Sequence, residues 1–114
     1  MKYNYWVVPG ITSAKEIRRD VIISVVCSEL NVTWDHLISK TRVTPIPDSR
    51  KILVYCLKQF SPYWFKTTTV GRLLSRDHSS VIAMLHAAEN LKEGDRVFSE
   101  KLNKVIMRLK TYDL

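Results

Sequence analysis

The sequence predicts an all-α domain of five to six helices. Apolar residues recur at three- and four-residue spacing through each long segment, and residues that cap helices stand at the segment starts. Prolines and short polar turns stand where the apolar stripes stop. With 114 residues, 46% hydrophobic and 25% charged, the chain is one domain with enough apolar surface for a single core.

Residues 1–10 are rich in aromatic and β-branched side chains and end at Pro9-Gly10, which fits a short strand or an extended arm. Residues 1–12 are therefore set apart from a helical domain over 13–114. Ser13 and Glu16 stand at capping-box spacing, predicting a helix from about Ala14 to Leu30 with Ile17, Val21, Val25 and Ser28 on one side. Asn31-Val32 breaks it, and Thr33 can cap a short helix from Trp34 to about Ser39. Lys40 to Pro47 reads as a loop with two prolines and two cations, Lys40 and Arg42. Asp48 or Ser49 can cap a third helix to about Phe60, with Ile52, Val54, Tyr55, Cys56 and Phe60 as its apolar stripe. Ser61-Pro62 ends that helix. Tyr63-Trp64-Phe65 leads to Thr67–Thr69, any of which can cap a short helix through Leu74. After a turn at Ser75-Arg76, Asp77 caps or begins a helix through about Leu91, with Val81, Met84, Leu85 and Ala88 facing inward. Glu93-Gly94-Asp95 reads as a turn, and Val97–Tyr112 as a closing amphipathic helix on Phe98, Leu102, Val105, Ile106 and Leu109.

Several function classes fall away. The longest apolar run, Val21–Cys27, is far short of the roughly 20 residues of a membrane span, so no membrane partner is expected. No secretory pattern opens the chain, and Cys27 and Cys56 lie in apolar segments, which suggests reduced thiols and a cytoplasmic protein. Only three glycines are present, so neither a phosphate loop nor a dinucleotide fingerprint exists and no nucleotide or other cofactor is expected. His36, His78, His86, Cys27 and Cys56 lack zinc-ligand spacing. Asp77-His78-Ser79 are chain neighbours on one helix and point around its circumference, so they cannot form a catalytic relay. The reading is of a protein that is not an enzyme.

Charge gives a positive direction. The formal net charge is +7, and residues 40–80 hold eight basic side chains against Asp48 and Asp77, a net +6. Such a cluster is either a solvated basic face or a surface that displaces counterions from phosphates, and composition does not choose between them. The two short helices around Ser75 have helix-turn-helix organisation, in which the start of the second helix meets base edges.

The words at that turn are specific. Arg76-Asp77-His78-Ser79-Ser80-Val81-Ile82, preceded by Val70-Gly71-x-x-Leu74, resembles the Ile-Gly-x-x-Phe-Gly-Gly-Arg-Asp-His-Thr-Thr-Val-Leu run in the C-terminal DNA-binding domain of the bacterial replication initiator family DnaA. Upstream, Leu37-Ile38-Ser39-Lys40-x-Arg42 is similar to that family's Leu-Leu-Ser-Lys-x-Arg, and the spacing from there to Arg50 matches without a gap. The resemblance covers about residues 20–91. It implies a Trp-repressor-like helix-turn-helix domain that reads a short A·T-rich stretch of double-stranded DNA. By the same resemblance Arg42, with Lys40 beside it, reaches into the minor groove. Arg50, Lys51 (a glutamine in the family) and Lys58 would contact the backbone. Arg76, Asp77, His78, Ser79 and Ser80 would occupy the major-groove end. The family's Gly-Gly is here the single Ser75, two residues are inserted near Tyr63-Trp64-Phe65, both threonines are serines, and Ala83 stands where histidine is frequent. These departures bear on sequence preference more than on binding. The family's ATPase portion has no counterpart here, so the expectation is a stand-alone, nucleoid-associated DNA binder, a regulator or a mobile-element protein. The alternative is a protein-interaction module that keeps the fold without reading DNA.

Overall fold

The computed structural model describes residues 16–113. Six α-helices follow one another: α1 (Arg19–Leu30), α2 (Trp34–Ile38), α3 (Ile46–Phe60), α4 (Thr67–Leu73), α5 (His78–Gly94) and α6 (Arg96–Lys110), with a 3-10 turn at Thr111–Asp113. No strand occurs among the described residues, and none of their helices is long and apolar enough to cross a membrane. The expected arm at 1–12, and Ser13, lie outside the described residues.

The third helix is the axis of the domain. Six consecutive residues, Ile52 to Leu57, are buried, so the middle of α3 is enclosed on every side. It packs against α1, α2, α5 and α6; α4 lies on α5, and α6 closes over α1 and α5. Ile22, Val25 and Val26 of α1, Val81, Leu85 and Ala88 of α5, and Phe98, Leu102, Val105 and Leu109 of α6 complete one core. Fully burying a Leu, Ile or Phe stabilises by roughly 1.5–3 kcal/mol each.

Three helix starts differ from expectation, each for a physical reason. The first helix begins at Arg19, not near Ala14, and Glu16 is not its capping carboxylate. Glu16 Oε1 instead accepts from the backbone N–H groups of Tyr63 (3.0 Å) and Trp64 (3.2 Å), donors freed where Pro62 ends α3. Ile17 N–H donates to Phe60 O and Ser61 Oγ donates to Ile17 O, which pins this extended stretch to the end of α3. The third helix starts at Ile46 with Pro47 in its first turn, where a missing N–H costs nothing. Neither Asp48 nor Ser49 caps it: Ser49 Oγ donates to Pro45 O, and Asp48 pairs with Lys51 at 3.4 Å. The fourth helix has Lys66 at its cap with no side-chain bond, so the threonines lie inside its first turn.

Two other ends follow the sequence and one does not. Thr33 Oγ1 accepts from His36 N–H at the start of α2. Asn31 ends α1 in the left-handed region at φ 56°. The fifth helix runs on to Gly94, past the expected Leu91. Asp95 alone makes the corner, donating its N–H to Leu91 O and accepting from Phe98 N–H at 3.0 Å.

Candidate nucleic-acid interface

The turn between α4 and α5 is built on close backbone approach. Gly71 O accepts from Arg76 N–H at 2.7 Å, folding the chain back on itself. A Cβ at residue 71 would stand 2.6 Å from Arg76 O, a distance real Cβ atoms do not reach, so only glycine fits. Val70 and Leu74 are fully buried and anchor the two sides of the turn. Ser75 takes the left-handed conformation at φ 59°, doing alone what a glycine does at no steric cost.

Asp77 then starts α5 as expected. Its Oδ1 accepts from Ser80 N–H at 2.9 Å and from Ser79 Oγ at 3.1 Å. The Ser80 backbone N–H, then the Ser80 and Ser79 hydroxyls and the charge of His78, hold its carboxyl below the ordinary value. His78 and Ser79 are exposed and Ser80 is half-buried, so this helix start faces solvent.

Beside it lies an open groove of about 540 Å³ lined by Lys40, Arg42, Pro47, Arg50, Lys51, Arg76, Ser80, Ala83 and Met84. Five cations and no carboxylate line it: Lys40 and Arg42 come from the loop after α2, Arg50 and Lys51 from α3 and Arg76 from the helix-turn-helix turn, while α5 adds Ser80, Ala83 and Met84. Six of the ten residues singled out from sequence therefore meet in one place. Asp77, His78 and Ser79 precede Ser80 at the start of α5 and do not line the groove. Lys58 is exposed and lies outside the groove, two turns along α3 from Lys51, about 10 Å by helix rise.

The groove's cations are of two kinds. Lys40 and Arg42 are exposed. Arg50 is only 5% exposed, unlike a surface phosphate contact. Its Nε donates to Leu37 O (2.8 Å), and its Nη2 donates to Ser39 O (2.7 Å) and His36 O (3.2 Å). Those are the terminal carbonyls of α2, where the helix dipole favours a cation. Burial first, and then the neighbouring Arg76 charge, lower the Arg50 pKa from its ordinary value. Arg76 is half-buried, with Nη1 donating to Leu74 O (2.8 Å) and Nη2 to Ser39 O (2.6 Å). Sequence reading missed this convergence on Ser39. A signal existed: Arg50 falls on the same helix face as Ile46, Leu53, Val54 and Leu57, where a charge must find buried partners.

No group of three His, Cys, Asp or Glu side chains that could hold an ion occurs among the described residues. Cys27 and Cys56 are free thiols, and burial pushes the Cys56 thiol up to about 12.

Known proteins carry the same arrangement of sequence. A profile described as "Bacterial dnaA protein helix-turn-helix" matches residues 19–87, more than half of the chain. The chain is similar to proteins named chromosomal replication initiator protein DnaA from several bacteria. It is 26% identical over 97 residues to that of Synechococcus sp., covering 84% of this chain and 20% of the relative. It is 25% identical over 101 residues to that of Campylobacter concisus, covering 85% and 22%. With that of Xanthobacter autotrophicus it is 29% identical over 99 residues, covering 86% and 19%. The chain thus spans about a fifth of the length of these relatives. With the turn at Gly71–Asp77, the Arg-Asp-His-Ser-Ser helix start and the matched 69-residue span in agreement, the chain belongs to the bacterial DnaA helix-turn-helix family.

Proposed function

We propose that this domain binds double-stranded DNA and discriminates between sequences. The observation that carries this reading is the carboxylate-free groove, in which Lys40, Arg42 and Lys51 converge beside the start of a helix-turn-helix second helix. A duplex offers phosphates to such a groove while the start of α5 enters the major groove. His78 and Ser79 then face base edges, and Asp77 Oδ2, which makes no hydrogen bond among the described residues, can accept from cytosine N4. Arg42, on its exposed loop, reaches the neighbouring minor groove, where a narrow A·T tract concentrates negative potential. Lys51 and Lys58, two turns apart on α3, follow the sugar–phosphate backbone.

The first-turn amides of α5 add donors that a phosphate can take. The exposed Lys40 and Arg42 also favour DNA over a protein partner, since neither is paired with a carboxylate among the described residues. Titrating affinity for an A·T-containing duplex against salt tests the proposal. Affinity is expected to fall steeply as salt rises, because bound cations release counterions. A flat salt response, or no binding at low salt, overturns it.

A further inference from the structure

We infer that Arg50 and Arg76 form a tie through the Ser39 carbonyl that fixes the Lys40–Arg42 loop against the start of α5, which makes Arg76 a positioning residue and not a phosphate contact. The tie stands on geometry alone; its consequence for base reading rests on the DNA-binding proposal above.

Two guanidinium groups sharing one carbonyl oxygen is a costly arrangement, since like charges repel. It is held here because each group is fixed by further acceptors. Arg50 is gripped by Leu37 O and His36 O at the end of α2, and Arg76 by Leu74 O at the end of α4. Ser39 O at 2.7 and 2.6 Å from the two Nη2 atoms is where they meet, across 37 residues of sequence. One oxygen therefore joins α2, α3 and the helix-turn-helix turn. From Ser39 the order passes along the loop: Ser39 Oγ accepts from Thr41 N–H (3.4 Å), Thr41 Oγ1 accepts from Val43 N–H (3.2 Å), and Val43 O accepts from Ile46 N–H (2.9 Å). Arg42 sits in the middle of that chain of bonds. The residue aimed at the minor groove and the helix aimed at the major groove are thus placed relative to each other by Arg76.

Two of the five N–H donors of Arg76, one on each terminal nitrogen, are committed to main-chain carbonyls, which fixes the direction of its guanidinium. A planar fork can bridge Leu74 O and Ser39 O; a lysine ammonium, a single point of charge on a flexible stem, cannot hold both. Arg76→Lys therefore keeps the charge and removes the tie.

The test uses Arg76→Lys and Arg76→Ala in the full chain, with two readouts. In DNA-free protein, amide hydrogen exchange at Val43 and Ile46 is expected to rise at least about tenfold in both variants, with core amides of α3 unchanged. With duplexes, both variants are expected to lose discrimination at the base pairs that Arg42→Ala also affects, and to add no further loss in an Arg42→Ala background. The salt slope is expected to match the wild type for both. Unchanged loop exchange in both variants overturns the tie, whatever happens with DNA. Faster exchange together with an Arg76→Lys protein that discriminates as wild type does overturns the positioning role, as does a salt slope reduced by about one ion in Arg76→Ala alone. If the wild type itself discriminates no duplex, the DNA reading fails separately and the exchange data still decide the tie.

Discussion

Replacing Gly71 by alanine probes the backbone approach on which the helix-turn-helix turn depends. The added Cβ would lie 2.6 Å from Arg76 O and 3.2 Å from Asp77 C, both main-chain atoms that cannot swing aside as a side chain would. Reaching ordinary contact needs a shift of about 0.8 Å, and that shift strains the 2.7 Å bond from Arg76 N–H to Gly71 O. Overpacking of this kind costs about 1–3 kcal/mol, and the weakened hydrogen bond adds about 0.5–1.5 kcal/mol. Alanine's better helix propensity returns about 1 kcal/mol, so a net loss of about 0.5–3.5 kcal/mol is expected. Gly94 provides the control of opposite sign. A Cβ there meets nothing within 4 Å, its φ is not positive, and Gly94→Ala is expected to raise stability by up to about 1 kcal/mol. Urea unfolding with unchanged m-values, supported by melting shifts of about 4–8 °C per kcal/mol for a domain this size, reads both changes. A Gly71→Ala protein as stable as wild type would refute the close approach.

Ser75→Gly is expected to stabilise the domain by roughly 1 kcal/mol, by relieving a left-handed serine at φ 59°, and a lowered melting temperature counts against that strain. The Asp77 carboxyl is held below its ordinary value by the Ser80 N–H. Its contribution is therefore present above the unfolded carboxylate range and is lost as pH falls through the lower folded value. Asp77→Ala should accordingly narrow its stability gap to the wild type in acid, and a gap constant from neutral pH to pH 2 argues against the cap. Lys58→Ala should weaken every duplex alike and lower the salt slope by about one ion; a loss confined to particular base pairs would place Lys58 at bases instead.

How much the sequence revealed varied with the range of the interactions. The helix order was legible because three- and four-residue spacing encodes which face is buried, and because Thr33 and Asp77 cap through bonds only three residues long. The start of the first helix was misread because the real partners of Glu16 lie 47 and 48 residues away, where local spacing carries no information. The cap of α3 was misread because Pro47 removes an N–H that a side chain would otherwise satisfy. At the site, the basic third of the chain and the Arg-Asp-His-Ser-Ser run pointed to residues of which six line one groove. The division of its cations did not show. Arg42 and Arg50 look equivalent in sequence, and only the burial of Arg50 against the α2 carbonyls separates a free cation from a structural one.

The most direct measurement is selection of binding sites from a random duplex pool by the wild type, Arg42→Ala and His78→Ala, each first shown to be folded by melting. The wild type is expected to enrich one short A·T-containing site. Arg42→Ala should lose preference at the A·T pairs and His78→Ala at a separate set, each at roughly 1–3 kcal/mol of discrimination per contact. No enrichment by the wild type, or identical enriched sites for all three folded proteins, would contradict a DNA-reading surface made of the Arg42 loop and the start of α5.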